Sequence, residues 1–159
     1  MKKLPNKIII FDTEYTSWKG SMERKFSGPN KHKELVQVAA LKVNTINLKV
    51  LDTFEVFVKP KVNPQLSDYF INLTKITQKQ VDKKGVSLSQ ALKEFKKFIS
   101  GLPGYSFGGD QMVIKKNCQL VKIKYPLTEG PFFDIKKYFI SCGIPAQNYS
   151  PERDVGAKL

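Results

Sequence analysis

At 159 residues, with 41% hydrophobic and 26% charged side chains, the chain suits one globular domain that removes about 68–70% of its unfolded surface from water. That composition excludes intrinsic disorder, and no apolar run nears the ~18 residues that a membrane-crossing helix needs. Lys and Arg number 27 against 14 Asp and Glu, a net charge of +13 that attracts polyanions such as nucleic acid, although lysine spread evenly along a chain is also what an ordinary solvated surface carries.

Residues 7–12 ("KIIIFD") read as a strand whose continuous apolar run implies burial on both faces. A Gly-, Ser-, Pro- and Lys-rich loop, "KGSMERKFSGPNKHK", leads to a second strand at 35–43, "LVQVAALKV". Residues 48–58 alternate apolar and polar from Val50 onward and stop at Lys59-Pro60, where proline cannot continue a ladder. Three strands on short connections predict an antiparallel meander.

The period then changes. "LSDYFINLTKITQKQVDK" carries two short helical signals with Ser67 and Thr77 as N-caps, and "SLSQALKEFKKFIS" sets Leu88, Ala91, Leu92, Phe95, Phe98 and Ile99 on one face of a helix. Pro103-Gly104 breaks that helix, "YSF" reads as a short strand ending at Gly108-Gly109-Asp110, and "QMVIKKNC" is helical again. "PFFDI" forms a last strand and "KKYFISCG" a helix stopped by Gly143. Without internal repeats, this order predicts a single mixed α/β domain over residues 1–159.

Two cysteines, Cys118 and Cys142, without CxxC spacing and beside a single histidine, suggest neither a zinc site nor a disulfide framework. No small-residue cleavage site follows the first apolar run, so the N-terminus reads as mature sequence; a cytoplasmic location without a membrane partner is expected.

Asp12 and Glu14 stand out in this basic chain. Residues i and i+2 of a strand share a face, so both carboxylates sit at the end of the first strand, where like charges are costly unless a cation joins them. Hard oxygen donors suit Mg2+ or Mn2+. By itself a D-x-E pair is also what a solvent-exposed strand end presents.

Five stretches, "FDTEYTSW", "ELVQVAALKV", "FEVFVKP", "LSDYFINLTKITQKQV" and "SFGGD", together resemble the DEDD superfamily of 3′-to-5′ exonucleases, in order over residues 7–143. The resemblance implies a ribonuclease H-like fold, an antiparallel three-strand meander extended by parallel strands and flanked by helices. It also implies two divalent ions, Mg2+ or Mn2+, astride the scissile phosphate. Asp12 and Glu14 match the first acidic motif and Asp110 the second, as metal ligands and catalytic residues. Asp110 is equally readable as a helix N-cap after a Gly-Gly turn. Thr13 and Tyr15, just after the first motif, match positions that hold the terminal nucleotide. Trp18 and Phe70 are stacking candidates whose alternative is the core.

The third motif of the superfamily, H-x(4)-D, has no counterpart at the expected place. His32 falls too early and reads as a plain surface residue, and Asp134 matches a strand exit rather than a metal ligand. Tyr149 and Asp154 have the H-x(4)-D spacing, but Pro151 disfavours the helix that motif needs. A chain cut short before its last helix is the expectation. The resemblance therefore implies a 3′-to-5′ exonuclease acting on the 3′ end of single-stranded DNA or RNA and releasing nucleoside 5′-monophosphates, weakened by the missing motif. The alternative is a non-catalytic nucleic-acid-binding or partner-binding module on the same fold. Neither DNA against RNA nor the oligomeric state is legible.

Overall fold

The computed structural model describes residues 4–21, 23–28 and 31–146. Three strands open it: β1 (Lys7–Tyr15), β2 (Leu35–Asn44) and β3 (Val50–Phe57). Helices α1 (Asp68–Thr74), α2 (Gln78–Lys84) and α3 (Leu88–Ile99) follow, then β4 (Gly104–Ser106), α4 (Asp110–Leu120), β5 (Phe132–Asp134) and α5 (Ile135–Ser141). The strands form one sheet in the order β3-β2-β1-β4-β5. The β1–β2 and β2–β3 pairs are antiparallel, whereas β4 joins β1, and β5 joins β4, in parallel. The expected meander and its parallel extension are both present.

Helix formation follows the local chemistry. Ser87 caps α3 by accepting from the Gln90 N–H, and Leu88, Ala91, Leu92, Phe95 and Ile99 then fall on one buried stripe. That stripe packs on Ile9, Phe11, Val38 and Ala40, the inward residues of β1 and β2, with Phe11 and Phe95 rings 5.6 Å apart. Ser67 and Thr77 cap α1 and α2 as predicted, Thr77 in a reciprocal capping box with Gln80. The expected caps therefore hold.

Both ends of the meander differ from the sequence expectation. β1 runs past Asp12 to Tyr15 because β2 continues to pair with it, Asp12 opposite Ala39 and Glu14 opposite Gln37. β3 begins at Val50 rather than Leu48, which takes a positive φ of 57° in the turn. Where Tyr15 pairs with Leu35, the register slips and leaves Val36 without a partner on β1. This bulge separates two cores: Leu35 joins the α3 and α4 side, while Val36 packs with Phe57, Leu66, Phe70, Ile76 and Val81 under α1 and α2. Phe70 is fully buried there, which corrects its candidacy as a base-stacking residue.

Cys118 is buried and Cys142 exposed, and neither is bonded to another cysteine. No helix among the described residues is long and apolar enough to cross a membrane.

Candidate active site

β1 brings Asp12 and Glu14 to one end of the sheet, and the parallel return through β4 brings Asp110 to the same place. Gly108, at φ 107°, makes the turn that a side chain rarely permits, and Asp110 opens α4. Gly109, not Asp110, is the N-cap, and it supplies no side-chain cap. The carboxylate of Asp110 is thus left for the cleft, and its reading as a helix cap is overturned. A Cβ at Gly109 would meet no protein atom within 4 Å, so the backbone beside Asp110 is open.

Thr13 points from β1 to the side opposite Asp12, is buried, and donates its hydroxyl to Asp110 Oδ1 at 2.6 Å. Its side chain is therefore engaged in placing Asp110 rather than turned to the expected nucleotide contact. Burial raises the pKa of Asp110 from the ordinary carboxylate range, against hydrogen bonds from Thr13 and Ser106 that favour the charged form. Asp12 keeps exposed surface yet has protein packed around it, and burial followed by the charge of Asp110 lifts it from 3.8 to about 6, opposed by the Thr13 N–H.

Two carboxylates raised by burial, Asp12 further by the charge of Asp110, form a site short of positive charge. The cleft around them has a volume of about 900 Å³ and is lined by Asp12, Glu14, Tyr15, Asp110, Lys116 and the loop before β2. Oxygen donors of this kind fit Mg2+ or Mn2+, with Asp12 and Asp110 as the pair that would hold an ion and Glu14 on the same wall. Among the described residues no three acid, histidine or cysteine side chains are already gathered as a cage. Tyr149 and Asp154 lie outside the described residues.

Two residues carry a role that the sequence did not disclose. Asn117, on α4, accepts from the Leu35 N–H at 2.8 Å and donates to the carbonyls of Lys33 and Val113, tying the helix of Asp110 to the start of β2. Its spacing, seven residues after Asp110, placed it two turns on along one helix face, which was the available signal. His32 is exposed as expected, but it stands on the cleft wall rather than on a plain surface.

The exonuclease profile, RNase T, matches residues 9–142. The chain belongs to the exonuclease family. Among family relatives, human 3′-5′ exoribonuclease 1 is 32% identical over 142 residues, covering 83% of this chain and 39% of the human protein. The chain thus spans well under half the length of that relative. In the solved nuclease domain of 3′hExo, a DEDDh family member bound to rAMP, the similarity is 30% identity with a TM-score of 0.74, over 89% of this chain and 72% of that one. Cell-death related nuclease 4 superposes with a TM-score of 0.70 over 91% of this chain and 50% of that one, at 18% identity, a likeness of fold alone. The neighbours are DEDDh exonuclease domains, so the ribonuclease H-like fold expected of this family is the one observed.

Within this exonuclease-family site, the Thr13–Asp110 hydrogen bond makes a testable contribution. Thr13→Val keeps the volume and loses the donor, and we expect Mn2+ affinity, read by isothermal titration calorimetry, to fall by about 10–100-fold, the scale for losing a partner that orients a metal ligand. Thr13→Ser should restore it. Equal affinity in the Val variant would show that Asp110 is held by other means.

Proposed function

We propose that this chain is a metal-dependent 3′-to-5′ exonuclease of single-stranded nucleic acid that releases nucleoside 5′-monophosphates. The observation that carries the reading is the meeting of Asp12 and Asp110 in one cleft of an exonuclease-family chain, with the charge of Asp110 felt at Asp12. Asp12, Glu14 and Asp110 are the residues we assign to metal holding, two ions in all. A divalent cation bound there supplies Lewis-acid polarisation of the phosphate and a more acidic water. The protein supplies placement: Thr13 fixes the Asp110 carboxylate, Asn117 fixes α4 against β2, and the Thr13 and Tyr15 region offers contacts to the terminal nucleotide.

The exoribonuclease relatives put RNA first among the substrates to test, beside DNA. Incubation of 5′-labelled strands with Mn2+ should give a ladder that shortens from the 3′ end, and 3′-labelled strands should release labelled mononucleotide from the first time points. Chelation of the metal should stop both. Internal cuts would overturn the exonuclease assignment. Binding without any cleavage would favour the second reading, a non-catalytic binding module.

A further inference from the structure

The loop between β1 and β2 is built as a wall of the cleft. Thr16, buried, closes its two ends: the hydroxyl donates to the His32 carbonyl at 2.7 Å and accepts from the Glu34 N–H at 3.0 Å. Ser67, the cap of α1, holds the Ser17 carbonyl from the other side. On this base the loop carries Lys25, Lys31 and Lys33, all three lining the same cleft as Asp12 and Asp110.

The lysines are interleaved with aromatic rings. The Lys33 ammonium lies 4.1 Å from the Phe26 ring centroid and 4.7 Å from that of Tyr15, and Lys31 lies 5.5 Å from that of Trp18. Tyr15 and Phe26 meet edge to face at 5.7 Å. Lys25 and Phe26 both take left-handed backbone, φ 49° and 55°, a conformation that costs about 1–2 kcal/mol per residue. Cationic side chains beside exposed or half-exposed π faces are the two components that single-stranded nucleic acid requires, charge for the backbone and rings for the bases.

We propose that this wall, Lys25, Phe26, Lys31 and Lys33 with Tyr15 at its foot, is a track for the phosphates and bases upstream of the scissile bond. Tyr15, at the near end, adjoins the terminal nucleotide, so the lysines beyond it engage the nucleotides 5′ of it. The inference rests on the exonuclease reading for the location of the strand end, but the wall's binding is measurable without catalysis.

The test is fluorescence anisotropy of a 5′-fluorescein single-stranded oligonucleotide in chelator, from about 50 to 200 mM salt, the range over which phosphate contacts register. Lys25, Lys31 and Lys33 are replaced together by Gln, which keeps the first two methylenes of each side chain and removes the charge. The control replaces three exposed lysines elsewhere, Lys79, Lys83 and Lys93, with the same loss of charge, and thermal melting confirms that both variants fold. The slope of log Kobs against log salt should fall by about 2 for the wall variant, from ~0.7 per contact on single strands, with binding about tenfold weaker and the remote variant changed far less. A nucleoside 5′-monophosphate competitor, too short to reach the wall, should bind both variants as it binds the parent. A wall variant with the parent's slope, or with the slope of the remote variant, overturns the proposal. Loss of slope in a chain that cleaves nothing would sink the nuclease reading while leaving the track in place.

Discussion

Asp12→Asn should silence Mn2+-dependent hydrolysis by about 10²–10³-fold or more, the scale on which one electrostatic contact to a developing anion contributes, and should stabilise the metal-free fold at pH 7.5. The second effect follows from the sign of the shift. In the unfolded chain the carboxyl titrates near 3.8, and in the folded chain near 6. Between those values the folded state binds the proton that the unfolded state has released. Stability from this group is therefore greatest at low pH, falls as pH rises from about 4 to about 6, and stays reduced above that. Asn carries no charge to desolvate or to repel Asp110, so its melting temperature should exceed the parent's at pH 7.5 and approach it near pH 4. Mn2+ should raise the parent's melting temperature at pH 7.5 and less at pH 5, where protons compete for the same oxygens, and should raise that of the Asn variant little. Full hydrolysis by the Asn variant, or a melting temperature below the parent's at pH 7.5 without metal, would remove Asp12 from the site.

The largest loss of stability is expected at Glu34. This carboxylate is only 2% exposed and accepts from the N–H groups of Lys61, Val62 and Asn63 and from the Asn63 side-chain amide. It pins the segment after β3 to the entry of β2, next to the residues that Asn117 and Thr16 hold. Glu34→Ala leaves those donors without their acceptor and opens a cavity, a cost of about 3–5 kcal/mol. At ~2–4 °C per kcal/mol for a domain of this size, the melting temperature should drop by roughly 10 °C. Glu34→Gln keeps one carbonyl acceptor and should lose clearly less. A drop of only a degree or two in the Ala variant, by calorimetry, would show that water replaces the carboxylate without loss.

How much of this was legible depends on whether a signal was local. The D-x-E pair, the caps at Ser67 and Thr77 and the apolar stripe of α3 are written within a few neighbouring residues, and all three were readable. The extent of β1 was not, because it depends on register with a partner strand, and the slip at Val36 has no marker in "ELVQVAA". Glu34 belongs to a stretch that carries the family resemblance, yet its use as an acceptor for the segment after β3 appears only when residues 61–63 are brought to it. Thr13 was readable as a neighbour of the motif but not as a donor to Asp110, a pairing across 97 residues. The lysine-rich loop looked like solvated surface because composition cannot show that Thr16 folds it back onto the cleft.

The strand order also sets a timetable for synthesis. β1 is the first strand of this sheet to leave the ribosome and sits in its middle, between β2 and β4. Its antiparallel neighbour arrives within the next thirty or so residues, but β4 and the helix bearing Asp110 follow only about 90 residues after β1 ends, roughly 5–20 s at ordinary elongation rates of ~5–20 residues per second. Through that interval one edge of β1 is an unpaired template, with Ile9 and Phe11 awaiting α3. A nascent chain in this state is a substrate for chaperones and a hazard to its neighbours on the same message, and slow elongation before residue 104 would lengthen the exposure. The acid pair is among the last features of the domain to exist.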